Sequence, residues 1–446
     1  MNRTGTRLRR LDLAATGTDP AAAALRRALV RRGAAPDRRI RDDARAILDD
    51  VRDRGEPAVR DANARVGGGL ADGRLVVDRP ELAIARDRLA LSTRAALDIA
   101  IANVTRFAET QRPVSTTTVI SAGIEIERRW SPIASAGAYV PGGSAVYPST
   151  MVMTVVPARV AGVERIVVAT PADRDGVVDP VTLGAAGMLG VDAVVVAGGA
   201  QAIAALAYGL TDSGIDPVDR VVGPGNAWVT AAKLEVAGDV GIDALAGPSE
   251  GLVLAAPPAD PFRIALDVIT QAEHGPDSPA LLVTTDEAFA DAVEVEIDTL
   301  LATSVRRGVL ERSLGEHGCL VIAPDLESAI DFVNDYAPEH LSVDVTPLEW
   351  TVARIRNAGS LFVGPWAPES AGDYATGANH VLPTGGSARW SGALAVESFG
   401  KYTQVQRVTR AGLASIRDAI EVLATAEGLL AHRDAVTRRF EREATP

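Results

Sequence analysis

The period of apolar positions changes along the chain. From Asp37 to about Gln111 the apolar residues recur at helical spacing. Ile40, Ala44, Ile47, Leu48 and Val51 form a first run, closed by Gly55-Glu56-Pro57. Leu97, Ile101, Val104 and Phe107 form a second, within residues 92–110. From Gly123 the texture becomes short β-branched runs. Residues 165–169, 193–197 and 219–222 follow one another at roughly 28-residue intervals, with helix-like stretches between. That is the rhythm of a parallel sheet with right-handed crossovers. Residues 252–254, 281–283, 320–322 and 360–363 make a second set. The pattern predicts an α/β protein: two Rossmann-like parallel-sheet units, a helical segment before them and a helical C-terminal tail. In the tail, from about Gly412 to Glu441, Ile416, Ile420, Leu423, Leu429 and Leu430 line a face that must pack on something. A polar, flexible connection, residues 384–392, precedes it.

Composition narrows the picture. The chain has 446 residues, 47% of them hydrophobic, enough for several buried cores. One cysteine, Cys319, excludes an internal disulfide framework and any multi-thiolate metal site. The formal net charge is −13. Nearly every base is arginine, the exceptions being Lys233 and Lys401. An acidic chain without a basic stripe is a poor match for nucleic acid. The richest apolar window, residues 191–209, is broken by Asp192, Gly198, Gly199 and Gln201, which argues against a membrane span. The arginine-rich start lacks the apolar core of a signal peptide, so a cytoplasmic location is expected.

Several segments can carry chemistry. Val196-Ala197-Gly198-Gly199-Ala200-Gln201 reads as strand, glycine pair, helix start, and Val222-Gly223-Pro224-Gly225-Asn226 repeats that grammar. Glycines there let backbone N–H groups approach an anionic ligand. Two such loops on neighbouring strands suggest one shared crevice, of the kind a dinucleotide occupies. Tyr139-Val140-Pro141-Gly142-Gly143-Ser144-Ala145 is a third glycine loop. Gln271 and His274 sit at i and i+3 near the end of a helix opened by Asp260-Pro261 and closed by Gly275-Pro276, so they share a face. Glu339-His340 puts a carboxylate beside an imidazole at a strand start, where both can reach a cleft as an acid–base pair. Glu369-Ser370-Ala371-Gly372-Asp373 is a small-residue turn carrying acid. Gln271, His274, Asp373, His380 and His432 are nitrogen and oxygen donors without thiolate, a set that suits Zn²⁺ or Mn²⁺. The residues alone do not choose between His380 and His432. His317, in a loop-like stretch, receives no role.

At nine segments the chain resembles the histidinol dehydrogenase family. They are residues 139–149 (YVPGGSAVYPS), 198–209 (GGAQAIAALAYG), 223–229 (GPGNAWV), 246–250 (AGPSE), 271–278 (QAEHGPDS), 336–341 (YAPEHL), 368–374 (PESAGDY), 379–384 (NHVLPT) and 424–432 (ATAEGLLAH). The resemblance spans about residues 40–440 in one order. It implies oxidation of L-histidinol to L-histidine in two NAD⁺-dependent hydride steps through a bound aldehyde, the last step of histidine biosynthesis. By motif it implies Tyr139, Gln201 and Asn226 as NAD⁺ contacts, and one zinc ion per subunit on Gln271, His274, Asp373 and His432. Glu339 and His340 resemble the catalytic acid–base pair. Ser249, His380 and Glu427 would line the substrate site with Gln271, His274, His340, Asp373 and His432. A homodimer is implied in which the tail crosses over to complete the partner's site.

The expected partition follows from this. Residues 1–36 form an N-terminal arm, and residues 37–138 pack with 249–383 as one substrate and metal domain. Residues 139–248 form the NAD⁺ domain, and residues 384–446 the linker and tail. Two departures stand out. Residues 63–69 (NARVGGG) lack the aromatic–Asp–Gly turn expected there. Residues 389–394 (RWSGAL) are equally similar to relatives acting on other small primary alcohols, such as sulfopropanediol. A sulfonate would need a cation in the pocket; residues 141–149 offer none, which favours histidinol.

Overall fold

The structure, a computed structural model, describes residues 8–142 and 146–441. The chain divides into a main unit, residues up to 111 together with 133–399, and a tail unit, residues 112–132 together with those from 400 onward. Among the described residues no helix is long and apolar enough to cross a membrane.

The main unit holds two six-stranded sheets. The first runs Arg9–Asp12, Cys319–Ile322, Ala280–Thr284, Gly251–Ala255, His340–Asp344, Ser360–Val363, all parallel. Its strands read as unbroken apolar runs because both faces are covered. Leu252, Leu254, Leu281 and Val283 enter one core, and Val253, Ala255 and Leu282 enter the core on the other face. The second sheet runs Val76–Asp78, Ala193–Val196, Arg165–Thr170, Ser135–Tyr139, Arg220–Val222, Gly241–Ile242, parallel apart from its first, antiparallel edge strand.

Four expectations change. The first helices of the segment 37–138 pack on the second sheet rather than on the body of residues 249–383. Ala44, Leu48 and Val51 of helix Arg38–Arg54 and Val59 of helix Glu56–Val66 pack with Val167, Val195 and Leu206 of the second sheet's layers. Periodicity says which face is buried, not against what. The expected arm is built into the fold: Arg9–Asp12 is an edge strand registered on Cys319–Ile322, Leu8 and Leu11 are buried, and helix Pro20–Val30 follows. The connection expected to be flexible has Thr384 and Ser387 buried, and Gly247 N–H donates to Thr384 Oγ1 at 2.5 Å. The two glycine loops follow strands separated by two others, not neighbours.

The tail unit pairs Gly400–Val408 with Ile124–Pro132 and that strand with Thr116–Ser121, all antiparallel. Helices Arg410–Ala426 and Leu430–Glu441 follow, separated at Gly428, whose φ is +72°. Val422, Leu423 and Leu430 remain exposed.

Candidate active site

One candidate site lies at the carboxyl ends of the second sheet's strands, the usual ligand position in such sheets. A cavity of about 1290 Å³ is lined by Gly68, Tyr139, Gly142, Gly198, Gln201 and Asn226, among others. The three expected NAD⁺ contacts therefore meet there, although their loops are not adjacent in the sheet. Gly143, Ser144 and Ala145 of the third glycine loop lie outside the described residues. Tyr139 is buried, and its hydroxyl accepts from Gly199 N–H at 3.4 Å. Gln201 Nε2 donates to Asn63 Oδ1 at 3.3 Å, and Asn63 Nδ2 donates to Val196 O at 3.0 Å. Asn63 was not singled out from the sequence. It belongs to the glycine-rich stretch that departs from the family pattern. Asn226 Oδ1 accepts from the amides of Trp228 and Val229, capping helix Ala227–Val236. The helix starting at Gly199 has no side-chain cap, so its N-terminus suits an anionic group.

The loop beneath this cavity is locked by a buried ion pair. Gly223 has φ +114°, and a Cβ there would collide with Tyr139 O. Its N–H donates to Asp243 Oδ2 at 2.7 Å, and its carbonyl accepts from Lys233 Nζ at 3.0 Å. Lys233 also pairs with Asp243 and donates to Ala244 O.

The second candidate site gathers at the amino edge of the first sheet. Helix Pro261–Glu273, capped by Asp260, delivers Gln271 and His274 at its C-terminal end. Strand His340–Asp344 begins at His340, with Glu339 just before it. Helix Glu369–Tyr374 presents Glu369 and Asp373 one turn apart on one face. The rings of His274 and His340 stack, centroids 5.9 Å apart at 12°. His274 Nε2 lies 2.8 Å from Glu369 Oε1 and 3.9 Å from Asp373 Oδ2. His340 Nδ1 lies 3.2 Å from Gln271 Oε1, and its Nε2 lies 3.9 Å from Asp373 Oδ1. Glu339 Oε2 accepts from Ser249 Oγ at 2.8 Å and from Glu250 N–H at 2.9 Å.

The electrostatics are those of buried acids crowded around two imidazoles. Burial pushes the Glu339 carboxyl up to about 8, against the hydrogen bonds from Glu250 and Ser249. Burial and the Glu369 charge raise Asp373 to about 7. Burial alone would pull His274 down, but the Glu369 hydrogen bond and the surrounding carboxylates raise it to about 9. Burial lowers His340. Burial also takes His380 down to about 4. With Nδ1–H donating to Asp373 O at 2.9 Å, His380 Nε2 accepts from Thr150 Oγ1 at 3.1 Å. His380 is thus a neutral ring with both nitrogens engaged.

The donors fit a divalent cation. His340 Nε2 is buried without a hydrogen-bond partner, Gln271 brings an amide oxygen, and Glu339, Glu369 and Asp373 bring carboxylate oxygens to the same buried cluster. His274, His340 and Glu369 each offer a ligand atom within 4.8 Å of the others. Glu369 therefore stands beside Gln271, His274 and Asp373 as a carboxylate on the His274 ring; its position one helical turn before Asp373 was the available signal. Ligand atoms around one zinc sit about 3.2–3.5 Å apart, from metal–ligand lengths of about 2.0–2.2 Å. The His274–Glu369 separation is a hydrogen bond instead, and His274 with Asp373 comes nearer to a shared ion. Glu427 and His432, the remaining expected site residues, lie in the tail unit, both exposed.

The family model for histidinol dehydrogenase matches residues 30–440. The chain belongs to the histidinol dehydrogenase family. The family's enzyme from Leifsonia xyli subsp. xyli is 46% identical over 402 residues, 89% of this chain and 92% of the relative. That of Mycobacterium tuberculosis is 43% identical over 441 residues, 98% of each chain. The crystal structure of histidinol dehydrogenase from Elizabethkingia anophelis superposes with a TM-score of 0.88 at 32% identity, covering 98% of this chain and 99% of that one.

Proposed function

We propose that the chain oxidises L-histidinol to L-histidine in two hydride transfers to NAD⁺, with L-histidinal held between them, as the last step of histidine biosynthesis. The observation that carries this reading is the His340 ring, buried among acids with Nδ1 engaged and Nε2 without a partner. NAD⁺, when bound, would supply the hydride acceptor, and a zinc ion would supply a template for the substrate's nitrogen atoms. Gln271, His274 and Asp373 would hold that ion with His432, while Glu369 fixes the His274 ring.

The residues' own chemistry follows from their geometry. With Nδ1–H donated to Gln271 Oε1, His340 carries its lone pair on Nε2 and takes the hydroxyl proton as hydride leaves the carbinol carbon. The overall balance is alcohol, water and two NAD⁺ giving carboxylate, two NADH and three protons, so the aldehyde must add water. Glu339, held at Oε2 by Ser249 and Glu250, takes a proton from that water through Oε1. Tyr139, Gln201 and Asn226 contact the cofactor, Asn226 through Nδ2 because its oxygen caps a helix. Ser249 and His380 line the substrate pocket. We place the protein in the cytoplasm as a homodimer in which Glu427 and His432 of the tail unit complete the partner's site. NADH formation with L-histidinol, against a panel of diols and other amino alcohols, tests the reading. L-histidinol should be the preferred substrate, with two NADH per histidine. Preferred turnover of another alcohol would refute it.

A further inference from the structure

The proposed roles of Glu339 and His340 leave a buried pair beside them unexplained. Glu250 turns its side chain away from the site, yet its main chain touches both residues. Its N–H donates to Glu339 Oε2 at 2.9 Å, and its carbonyl accepts from His340 N–H at 3.2 Å. The carboxylate of Glu250, 4% exposed, is gripped by Arg32, 14% exposed. Arg32 Nε reaches Oε2 at 2.9 Å and Nη2 reaches Oε1 at 2.7 Å, the two-pronged geometry that lysine cannot reproduce.

The same guanidinium holds a second point. It lies 3.4 Å over the Tyr336 ring, and Nη2 donates to Tyr336 O at 2.9 Å. Tyr336 ends the helix Leu326–Tyr336, and Ala337 follows with φ +52°, an unfavourable conformation for a residue with a Cβ. Pro338 and Glu339 come next. Nη1 donates to Leu29 O at 2.5 Å, tying the group to the end of helix Pro20–Val30. One largely enclosed side chain from the N-terminal segment thus fastens both the strand start that Glu339 and His340 touch and the turn that leads into them.

We propose that Arg32 is a positioning residue for the Glu339–His340 pair, acting through Glu250 and the Tyr336–Glu339 turn. It touches neither substrate nor cofactor. The inference rests on the roles given above to Glu339 and His340. Its signature is a kcat effect without a matching KM effect, strongest in the aldehyde step, where Glu339 works.

The test uses the full-length enzyme with Arg32→Lys, Arg32→Met, Glu250→Gln and the double variant Arg32→Met/Glu250→Gln. Rates of alcohol and aldehyde oxidation are measured separately, alongside thermal unfolding and hydrogen exchange of peptides covering residues 249–252 and 338–342. Arg32→Lys should lower kcat for aldehyde oxidation about 10–100-fold, the scale of an ångström-level misplacement, with KM for L-histidinol little changed. The amides of Glu250 and His340 should exchange at least tenfold faster while the rest of the sheet keeps its protection. The double variant removes both charges of the buried pair, so it should recover thermal stability relative to Arg32→Met without recovering aldehyde oxidation.

Wild-type rates and exchange in Arg32→Lys and Arg32→Met would overturn the proposal. So would a rate loss that simply follows global stability and returns in the double variant. A wild-type enzyme that ignores L-histidinol would sink the functional reading instead; exchange at Glu250 and His340 would still decide the positioning role, because it needs no substrate.

Discussion

Gly251 offers a clean perturbation of the metal and base cluster, because it has no polar side chain to lose. It opens the strand Gly251–Ala255 opposite His340, and its φ is one any residue can adopt. A Cβ there would stand 2.5 Å from Gln271 Oε1, 2.6 Å from its Cγ and 2.8 Å from its Cδ. Ordinary contacts begin near 3.4 Å, so the Gln271 side chain must retreat by roughly 1 Å. It has nowhere to go: it is 2% exposed and its oxygen is engaged by His340. Overpacking of this kind costs about 1–3 kcal/mol, and a lost neutral hydrogen bond about 1 kcal/mol more. An ångström of displacement at a positioning group costs about 100-fold in rate. Gly251→Ala should therefore lower kcat/KM for L-histidinol by about two orders of magnitude and weaken zinc retention, with a modest fall in Tm. Gly308→Ala is the control: it lies exposed in a helix with nothing within 4 Å of its added carbon, and should be neutral or slightly stabilising. Wild-type turnover and metal content in Gly251→Ala would show that the Gln271–His340 contact does not matter.

Further outcomes follow from the same geometry. Glu339→Gln should slow aldehyde oxidation more than alcohol oxidation, whereas His340→Ala should slow both by about 10²–10⁴-fold; separate half-reaction kinetics decide, and equal losses in Glu339→Gln would contradict the division of labour. Lys233→Met strands the buried Asp243 carboxylate beneath the Gly223 loop and should cost about 3–5 kcal/mol by urea unfolding, with weaker NAD⁺ binding; an unchanged urea midpoint would refute the clamp. His274→Ala and His432→Ala should each be inactive alone. Mixing them with subunit exchange should return roughly a quarter of normal activity, since half the dimers would hold one intact site. No return despite demonstrated exchange would mean each tail serves its own subunit.

The sequence exposed the sheets where strands were β-branched and both faces were buried. Residues 165–169, 193–197, 252–254 and 281–283 all lie in strands or run one residue past their ends. It concealed Ser135–Tyr139, a fully buried strand in the interior of the second sheet, because all but its last residue are small. A Cβ at Gly137 would already press Leu206 at 3.1 Å and Val218 at 3.0 Å, so the packing demands small residues, which carry little strand signal. Arg9–Asp12 was hidden by its charges: on an edge strand, Arg9 and Arg10 turn to Gly318 O and the Asp291–Glu294 face. At the site, motif residues pointed to Gln271, His274, Glu339 and His340, whose convergence depends on helix and strand ends. Asn63 and Arg32 escaped because nothing local distinguishes an enclosed amide or guanidinium from a surface one, while Glu369 was in view in its acidic turn but received no role of its own. His380 drew attention as a ligand for the same reason: its two hydrogen bonds come from Thr150 and from a main-chain oxygen that sequence patterns do not report.

The scarcity of lysine gives the molecule an unusual reactivity. Of its two ε-amines, that of Lys233 is sealed in a buried ion pair and donates to two carbonyls. Lys401 lies exposed on the strand Gly400–Val408 of the tail unit, opposite Ser131. Apart from the α-amino group, an acylating dye or surface linker meets one side chain. An amine-reactive fluorophore would therefore mark, besides the α-amino group, a single side chain, on the tail unit, and spare the side chains of both candidate sites. Immobilisation through the same chemistry would restrict attachment to these two points without any engineered tag.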